Sequence, residues 1–493
     1  KPCSSFASVL FLAQALGALP TKAGFEVILV GNGIHTVVGD DGHSPEQALL
    51  LGPGLVIPNE YRSITCRCVD LELRSATAAQ AARAAGNLLL ELQTPVGDPL
   101  VAYRGNRRWV RSFTPLALPD ARLGQQRLRD GGVYLITGGL GGLGLAAAAA
   151  IANSVRSTLV LVGRTELPPR AEWPAWLIEQ PADSSIGRRI GAINAIEAQG
   201  STVVTAAADV ADQVQMAELI ERVQRIYGPI NGAIHTAGVP GEGLIQLKTL
   251  DKADRVLAPK VRGTVVLDLL LRDAPLDFML LYSSSNAVLG GLGEVDYCAA
   301  NAFMDAWAHA HHHPQRPIVT LNWGPWQWDS WQSSLLAAMP ELASQIAHVR
   351  ELYGITFAEG AEALYRALGS SLPQLLILPQ SLATAQTQWH ELFTLGDPAQ
   401  AADRSGSAKW DFAFERPNYL FERQREGLDS KARHADSWCD AWARTLARRL
   451  SSPRRSLLPD DACGALVITG DDDQAQLEKY AAQQQALCGL PIT

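Results

Sequence analysis

The stretch Tyr134-Leu135-Ile136-Thr137-Gly138-Gly139-Leu140-Gly141-Gly142-Leu143-Gly144 sets five glycines directly after an apolar run. The run Val133–Thr137 predicts a buried strand, and the alanine-rich residues after Gly144 predict a helix. Glycines at such a junction let the backbone approach a pyrophosphate at the helix N-terminus, although a flexible turn is the simpler alternative. The flanking strand and helix favour a phosphate-binding loop. Its expected cofactor contacts are Thr137, Gly138, Gly139, Gly141, Gly142, Leu143 and Gly144.

Short apolar runs separated by helical patterns recur between residues 131 and 335. After the first strand, the predicted strands are 158–162, 203–207, 232–235, 276–282 and 318–322. This series is typical of an α/β protein with a doubly wound parallel sheet. Upstream, strand-like runs at 26–31 and 64–71 and an alanine-rich helical segment at 76–92 predict a second α/β layer. That layer has no glycine-rich loop, so we expect it to bind no cofactor.

The chain has 493 residues, 47% of them hydrophobic and 19% charged, values typical of globular proteins with two or three domains. Its formal net charge of −8 argues against nucleic-acid binding, which requires a basic surface. The seven cysteines lack the paired spacing of zinc or redox motifs, so we expect a reducing, cytoplasmic compartment. The most apolar stretch contains the glycine loop and is a poor candidate for a membrane span. Because residues 4–16 already read as a helix, we expect the chain to be a fragment of a longer protein.

Arg164 follows the second strand of this unit, where proteins that prefer NADH carry an acidic residue for the ribose hydroxyls. Its guanidinium can hold a 2′-phosphate with two hydrogen bonds, so we predict NADPH over NADH; a solvated arginine is the alternative. Two later strand ends should also contact the cofactor, because ligands bind at the carboxyl ends of parallel strands. The residues there are Asp209, Val210, Thr236, Ala237 and Gly238.

Four polar residues form a second constellation: Ser284, Tyr297 thirteen positions later, Asn301 four beyond that, and Lys260 upstream. This layout resembles the ketoreductase (KR) domain of modular polyketide synthases, a branch of the short-chain dehydrogenase/reductase superfamily. Most of that superfamily carries the lysine four residues after the tyrosine. Here Asn301 takes that position and the lysine lies on the preceding helix, which is the exchange seen in the ketoreductase branch. The resemblance covers about residues 1–380.

The resemblance implies a Rossmann-like doubly wound parallel sheet as the catalytic subdomain and a second, truncated Rossmann-like structural subdomain. We expect the structural subdomain over 1–112, a linker over 113–130, the catalytic subdomain over 131–370 and a segment of uncertain role over 371–493. The usual opening strands of that subdomain are absent from the N-terminal part of this sequence. A strand-like run at 465–471 looks like the first of them. One hypothesis is that it packs back against residues 1–112.

The resemblance also implies NADPH-dependent reduction of a β-ketoacyl thioester to the β-hydroxyacyl thioester. Negative charge develops on the ketone oxygen, so Tyr297 is the expected proton donor and Ser284 the expected hydrogen-bond donor to that oxygen. Lys260 would favour ionisation of the phenol and hold the nicotinamide ribose, with Asn301 steadying Lys260 or a relay water. Pro325 should lie beside the nicotinamide. The expected partners are an acyl carrier protein, bearing the chain on phosphopantetheine, and other domains of the same synthase.

Two alternatives stay open: a free-standing reductase of a diffusible ketone, and a silent scaffold domain. The extra α/β layer counts against the first, and the intact tyrosine, lysine and glycine loop count against the second. The histidines His309, His311, His312 and His313 lack carboxylates or cysteines at ligand spacing, so we expect no metal. For the tryptophans near the site, plain packing and a substrate lid are equally favoured. They are Trp323, Trp326, Trp328 and Trp331.

In the family that this chain resembles, two sequence motifs near the site are associated with the configuration of the product hydroxyl. The family's Leu-Asp-Asp motif, associated with one configuration, would fall at Val239-Pro240-Gly241-Glu242-Gly243, and Glu242 keeps a carboxylate there. The tryptophan associated with the opposite configuration is replaced by Leu289. We therefore expect the configuration of the Leu-Asp-Asp type.

Overall fold

The computed structural model describes residues 4–19, 24–37, 43–72, 77–94, 97–179, 184–241, 243–328, 340–393, 420–424 and 462–468. The strands are β1 (Gly24–Asn32), β2 (Ile64–Leu71), β3 (Leu100–Arg104), β4 (Arg107–Val110), β5 (Phe113–Leu116), β6 (Val133–Thr137), β7 (Thr158–Gly163), β8 (Thr202–Ala207), β9 (Ile230–His235), β10 (Phe278–Ser284), β11 (Ile318–Trp323), β12 (Gln374–Leu378), β13 (Leu420–Gln424) and β14 (Ala462–Ile468). The α-helices are α1 (Ser4–Gly17), α2 (Leu51–Glu60), α3 (Ala78–Gln93), α4 (Ala121–Gln125), α5 (Gly142–Ser154), α6 (Trp173–Glu179), α7 (Ser185–Glu197), α8 (Gln213–Tyr227), α9 (Leu250–Leu270), α10 (Asn286–Leu289), α11 (Val295–His311), α12 (Pro340–Tyr353), α13 (Phe357–Leu368) and α14 (Leu382–Phe393).

The larger sheet carries the predicted glycine loop. Its strand order is β5-β13-β12-β11-β10-β9-β6-β7-β8, and the seven strands from β12 to β8 are parallel. Separate apolar cores cover its two faces, with α5, α7 and α13 on one side and α8 and α9 on the other. The doubly wound parallel sheet is thereby confirmed. Chain order reverses between β6 and β9, and ligands of such sheets bind at the carboxyl ends beside this switch point.

The sheet extends beyond the boundaries expected for the catalytic subdomain. β5 lies within the segment expected to be a linker, and it pairs antiparallel with β13 at the sheet edge. β12 lies beyond residue 370 and pairs with β11. One side of the larger sheet is therefore built from segments to which the sequence patterns assigned no part in it.

The smaller sheet has the order β14-β1-β2-β3-β4, parallel except for the final pair. β14 runs parallel to β1, with Gly24 opposite Ala462 and Val30 opposite Ile468. The hypothesis that the late strand-like run packs against the N-terminal layer is confirmed. The layer is completed by a strand that follows the larger sheet along the chain.

The smaller unit supports the helix that carries two predicted site residues. α2 packs on α11 so closely that a Cβ at Gly52 would lie 2.5 Å from the main-chain nitrogen of Ala299. At the end of α2, the Glu60 carboxylate accepts hydrogen bonds from the main-chain nitrogens of Gly293 (2.9 Å) and Ile245 (2.6 Å). The turn before α11 is thus anchored to the smaller unit. No helix in the described part of the chain has the length and apolar character needed to cross a bilayer.

Candidate active site

One cavity of about 750 Å³ opens at the carboxyl ends of the central strands of the larger sheet. It contains residues from both constellations that the sequence predicts. The predicted site residues that line it are Gly138, Gly141, Gly142, Leu143, Gly144, Arg164, Thr236, Gly238, Lys260, Ser284, Tyr297 and Pro325. A volume of this size is typical of small-molecule and cofactor sites. The fold therefore brings a candidate cofactor loop and candidate acid–base residues into a single space.

The glycine loop has no room for side chains at three positions, Gly138, Gly139 and Gly144. Gly138 adopts a φ of 68°, and a Cβ there would lie 2.6 Å from the main-chain nitrogen of Ala237. A Cβ at Gly144 would overlap the carbonyl oxygen of Gly138. The loop therefore lies flat against the strand ends, with the unpaired N–H groups of the first turn of α5 at the cavity. This arrangement fits a pyrophosphate group.

Six predicted site residues do not line this cavity. They are Thr137, Gly139, Asp209, Val210, Ala237 and Asn301. Thr137 is buried, with its Oγ1 2.7 Å from Nδ1 of His235. Asp209 accepts a 2.9 Å hydrogen bond from the main-chain nitrogen of Ala211. Burial, reinforced by the charge of Lys260, lowers the pKa of His235 to about 3, so this histidine is a neutral packing residue.

Lys260, Tyr297 and Asn301 form a compact group on two neighbouring helices. Lys260, from α9, donates a 2.8 Å hydrogen bond to the main-chain oxygen of Tyr282, and its Nζ lies 5.6 Å from the centre of the Tyr297 ring. Asn301, one turn after Tyr297 on α11, donates a 2.7 Å hydrogen bond to the Tyr297 main-chain oxygen. The Oδ1 atom of Asn301 is buried and has no partner among the described residues. An acceptor without a described partner thus lies one helical turn from Tyr297.

Ser284 ends β10 at the cavity. Its Oγ accepts a 3.2 Å hydrogen bond from the main-chain nitrogen of Asn286, which leaves the hydroxyl hydrogen able to point elsewhere. Behind it, the Asn322 amide nitrogen lies 3.1 Å from the Ser284 carbonyl oxygen and 3.0 Å from the Ser283 hydroxyl. Asn322 therefore fixes the end of β10 that carries this serine.

Asp305 is a site-related residue that the sequence analysis missed. It accepts a 2.7 Å hydrogen bond from the Asn322 side chain. Burial lowers the pKa of Lys260 to about 7, and the Asp305 charge opposes that shift. Burial also raises the pKa of Asp305 to about 6. The available signal was spacing, since Tyr297, Asn301 and Asp305 recur every four residues on one helix face.

Glu294, which the sequence analysis did not single out, and Trp328, for which packing and a substrate lid were equally favoured, also line the cavity. Glu294 accepts a hydrogen bond from the Asn286 side chain, and burial raises its pKa to about 7. A Cβ at Gly142 would lie 2.8 Å from the Trp328 ring, so this half-exposed indole rests on the glycine loop. Trp323 and Trp326 are buried, with ring centres 5.0 Å apart, and pack as a pair, whereas Trp331 lies outside the described residues.

The histidines near the end of α11 make packing contacts. Nε2 of His309 lies 3.0 Å from Oε1 of Gln374, and the ring of His311 stacks on Trp307 at 3.9 Å between centres. Nδ1 of His312 lies 2.8 Å from the Ile318 main-chain oxygen. Within the described ranges, no group of three histidine, cysteine, aspartate or glutamate side chains is arranged to hold a metal ion.

The strand order, the glycine loop and the tyrosine–lysine pair define the short-chain dehydrogenase/reductase class. Within that class the chain carries a KR domain, because the family model described as "KR domain" matches residues 132–328. This superfamily uses nicotinamide cofactors. The family resemblance drawn from the sequence is confirmed.

The relatives are polyketide synthases. A 6-methylsalicylic acid synthase of Aspergillus terreus is 35% identical over 267 residues, which are 54% of this chain and 14% of that protein. A phenolphthiocerol/phthiocerol polyketide synthase of Mycobacterium tuberculosis is 31% identical over 352 residues, 71% of this chain and 18% of that protein. The chain thus spans less than a fifth of the length of either relative.

Solved structures show the same architecture. A ketoreductase domain from the bacillaene assembly line has a TM-score of 0.61 and 25% identity, covering 79% of this chain and 85% of that one. An adenylation, ketoreductase and pseudo-Asub structure from a keto acid-selecting NRPS module has a TM-score of 0.63 at 18% identity, covering 98% of this chain and 38% of that one. The second likeness concerns the fold alone.

Proposed function

We propose that this chain uses NADPH to reduce a β-ketoacyl thioester to the β-hydroxyacyl thioester during polyketide chain elongation, with the acyl chain held on the phosphopantetheine arm of an acyl carrier protein. The observation that carries the proposal is the shared cavity, which Lys260, Tyr297 and Ser284 line together with the glycine loop. The relatives named above, which are polyketide synthases, supply the substrate class.

The residues that would hold the cofactor follow from their places around the cavity. The first turn of α5 and its glycines would bind the pyrophosphate, and Arg164 would bind the 2′-phosphate. Thr236 and Gly238 would lie beneath a ribose, and Pro325 beside the nicotinamide. When bound, NADPH supplies a hydride to the keto carbon.

The chain's own residues manage the proton and the developing charge. Tyr297 donates its phenolic proton to the ketone oxygen, and Ser284 donates a hydrogen bond to the same atom. Charged Lys260, 5.6 Å from the ring centre, stabilises the phenolate that remains. The free Oδ1 of Asn301 accepts a hydrogen bond from Lys260 or from a water that returns the proton to Tyr297.

The test compares three substrates by NADPH oxidation: a β-ketoacyl acyl carrier protein, the same acyl group on a simple thiol, and a small free ketone. We expect kcat/KM to fall in that order. Comparable rates on the free ketone would indicate a free-standing reductase. If wild-type protein and the Tyr297→Phe variant both show only background oxidation with all three, the chain is a silent scaffold and the proposal is wrong.

A further inference from the structure

Three of the arginines that line the cavity come from consecutive elements of the fold, the end of β7 and the start of α7. Arg164 follows β7, while Arg188 and Arg189 belong to the first turns of α7, and all three line the same space. The hydroxyl-bearing residues Thr165 and Ser185 line it beside them. Only the first arginine was expected there from the sequence, because the other two lie in an unremarkable helical stretch.

None of these guanidinium groups is neutralised within the described part of the chain. Arg164, Arg188 and Arg189 form no ion pair and no side-chain hydrogen bond with described residues. By contrast, Arg170 of the same unit pairs with Glu197 at 2.9 Å. An unpaired arginine on an open surface is ordinary, but three that line the same cavity as the glycine loop favour an anionic ligand there.

The topology places these arginines away from the reacting end of the cavity. β7 lies between β6 and β8, and α7 is the last helix of the crossover from β7 to β8, after the short helix α6. A crossover helix begins at the carboxyl edge of the sheet, so the first turn of α7 lies outward from the glycine loop. That is the side on which the adenosine half of a dinucleotide extends. Tyr297 lies across the switch point, on the other side of β6.

We propose that Arg188 and Arg189 bind the 2′-phosphate of NADPH together with Arg164, so that α7 forms the second half of the phosphate site; this inference rests on the proposed function. A 2′-phosphate carries up to two negative charges and three acceptor oxygens, whereas one guanidinium supplies a single charge and two parallel donors. Arginines from two separate elements therefore satisfy the group more completely than Arg164 alone.

The test measures ligand binding directly by calorimetry, with NADPH, NADH, 2′,5′-ADP, 3′,5′-ADP and 5′-AMP. The variants are Arg188→Ala, Arg189→Ala and the double variant, with Arg222→Ala as matched control. Arg222 is an exposed arginine of α8 that has no described ion pair and does not line the cavity. We expect each single variant to weaken NADPH and 2′,5′-ADP about tenfold, and the double variant more, with NADH and 5′-AMP changed less than twofold.

The fragments separate this inference from the proposed reaction, because 2′,5′-ADP binding needs no turnover. If the double variant keeps the wild-type preference for 2′,5′-ADP over 5′-AMP while Arg164→Ala loses it, α7 has no part in the site and only this inference fails. Equal weakening of 3′,5′-ADP would reveal a phosphate site without selectivity for the 2′ position, which also overturns it. A loss of 2′,5′-ADP selectivity in a protein that reduces no thioester upholds this inference and overturns the proposed reaction.

Discussion

The ammonium group of Lys260 lies 5.6 Å from the centre of the Tyr297 ring and is held by the main-chain oxygen of Tyr282. Burial lowers the pKa of Lys260 to about 7, and the charge of Asp305 opposes this shift. His235, which also lies near Lys260, is neutral. Lys260 is charged below its pKa, so in the proposed reaction its stabilisation of the Tyr297 phenolate would be lost as pH rises through about 7.

Asp305→Asn should therefore move the alkaline limb of the kcat/KM profile to lower pH, by roughly one unit, because the charge that opposes deprotonation is gone. The measurement is NADPH oxidation between pH 5 and 10. Asp254→Asn, which breaks an exposed ion pair with Arg262 on α9, is the control and should leave the profile in place. An unshifted profile in Asp305→Asn would show that this aspartate has only a packing role.

Tyr297→Phe should keep NADPH binding within about twofold and lower turnover by roughly a hundredfold or more, because only the donated proton is lost. Lys260→Ala should impair both quantities. Binding is read by calorimetry and turnover by absorbance. Near-normal turnover in Tyr297→Phe would place the acid on another residue.

Arg164→Ala should weaken NADPH about tenfold or more while changing NADH little, since the guanidinium is expected to contact only the 2′-phosphate. The measurement is the dissociation constant of each cofactor for the wild-type protein and for Arg164→Ala. An equal loss for both would remove Arg164 from the phosphate site.

Gly144→Ala should weaken cofactor binding, whereas Gly86→Ala should stabilise the fold. A methyl group at 144 would press on the Gly138 carbonyl oxygen, so we expect NADPH binding to fall at least tenfold. Gly86 lies in α3 with nothing within 4 Å of its Cβ position, so alanine there should stabilise the protein by about 0.5–1 kcal/mol with unchanged turnover. Thermal unfolding and cofactor titration of both variants check the pair. A Gly144→Ala protein with wild-type affinity would show that the loop has room to yield.

The reduced diketide should carry the hydroxyl configuration associated with the Leu-Asp-Asp type, as determined by chiral chromatography. The basis is Glu242, which lies outside the described residues, and the absence of an indole at Leu289. A product of mainly the opposite configuration would leave Glu242 without a directing role.

Buried strands were predictable because apolar runs encode them directly. β2 and β6 match their predicted ranges residue for residue, and the glycine loop follows from residue type alone. β5 was expected to be part of a linker because the segment 113–130 is rich in Pro, Arg and Gln and has little periodicity. The strand is only partly buried, and Pro115 has no N–H to donate. Its order depends on pairing with β13, which begins more than three hundred residues later, and a local pattern contains no information about such a partner.

The candidate site was predictable to the same degree. Tyr297, Ser284, Lys260 and the glycines stand out by spacing, whereas Asp305, Arg188 and Arg189 do not. A charged residue in a helix is usually exposed to solvent. That it is buried or faces a site is known only once the structure shows which other element packs against it. Asp305 is recognised by its hydrogen bond with Asn322 of β11. The two α7 arginines are recognised because they line the same cavity as Arg164 at the end of β7.

The pairing of β14 with β1 constrains the order in which the protein can assemble. During synthesis, β1 emerges early, and its outer edge stays open until residues 462–468 have been made. An open parallel edge exposes main-chain donors and acceptors to strands of other molecules. A chain truncated at residue 461 would keep that edge permanently and should self-associate more readily than the full chain, even with every residue around the cavity present. We therefore expect residues 462–468 to limit self-association of this protein by covering the outer edge of β1.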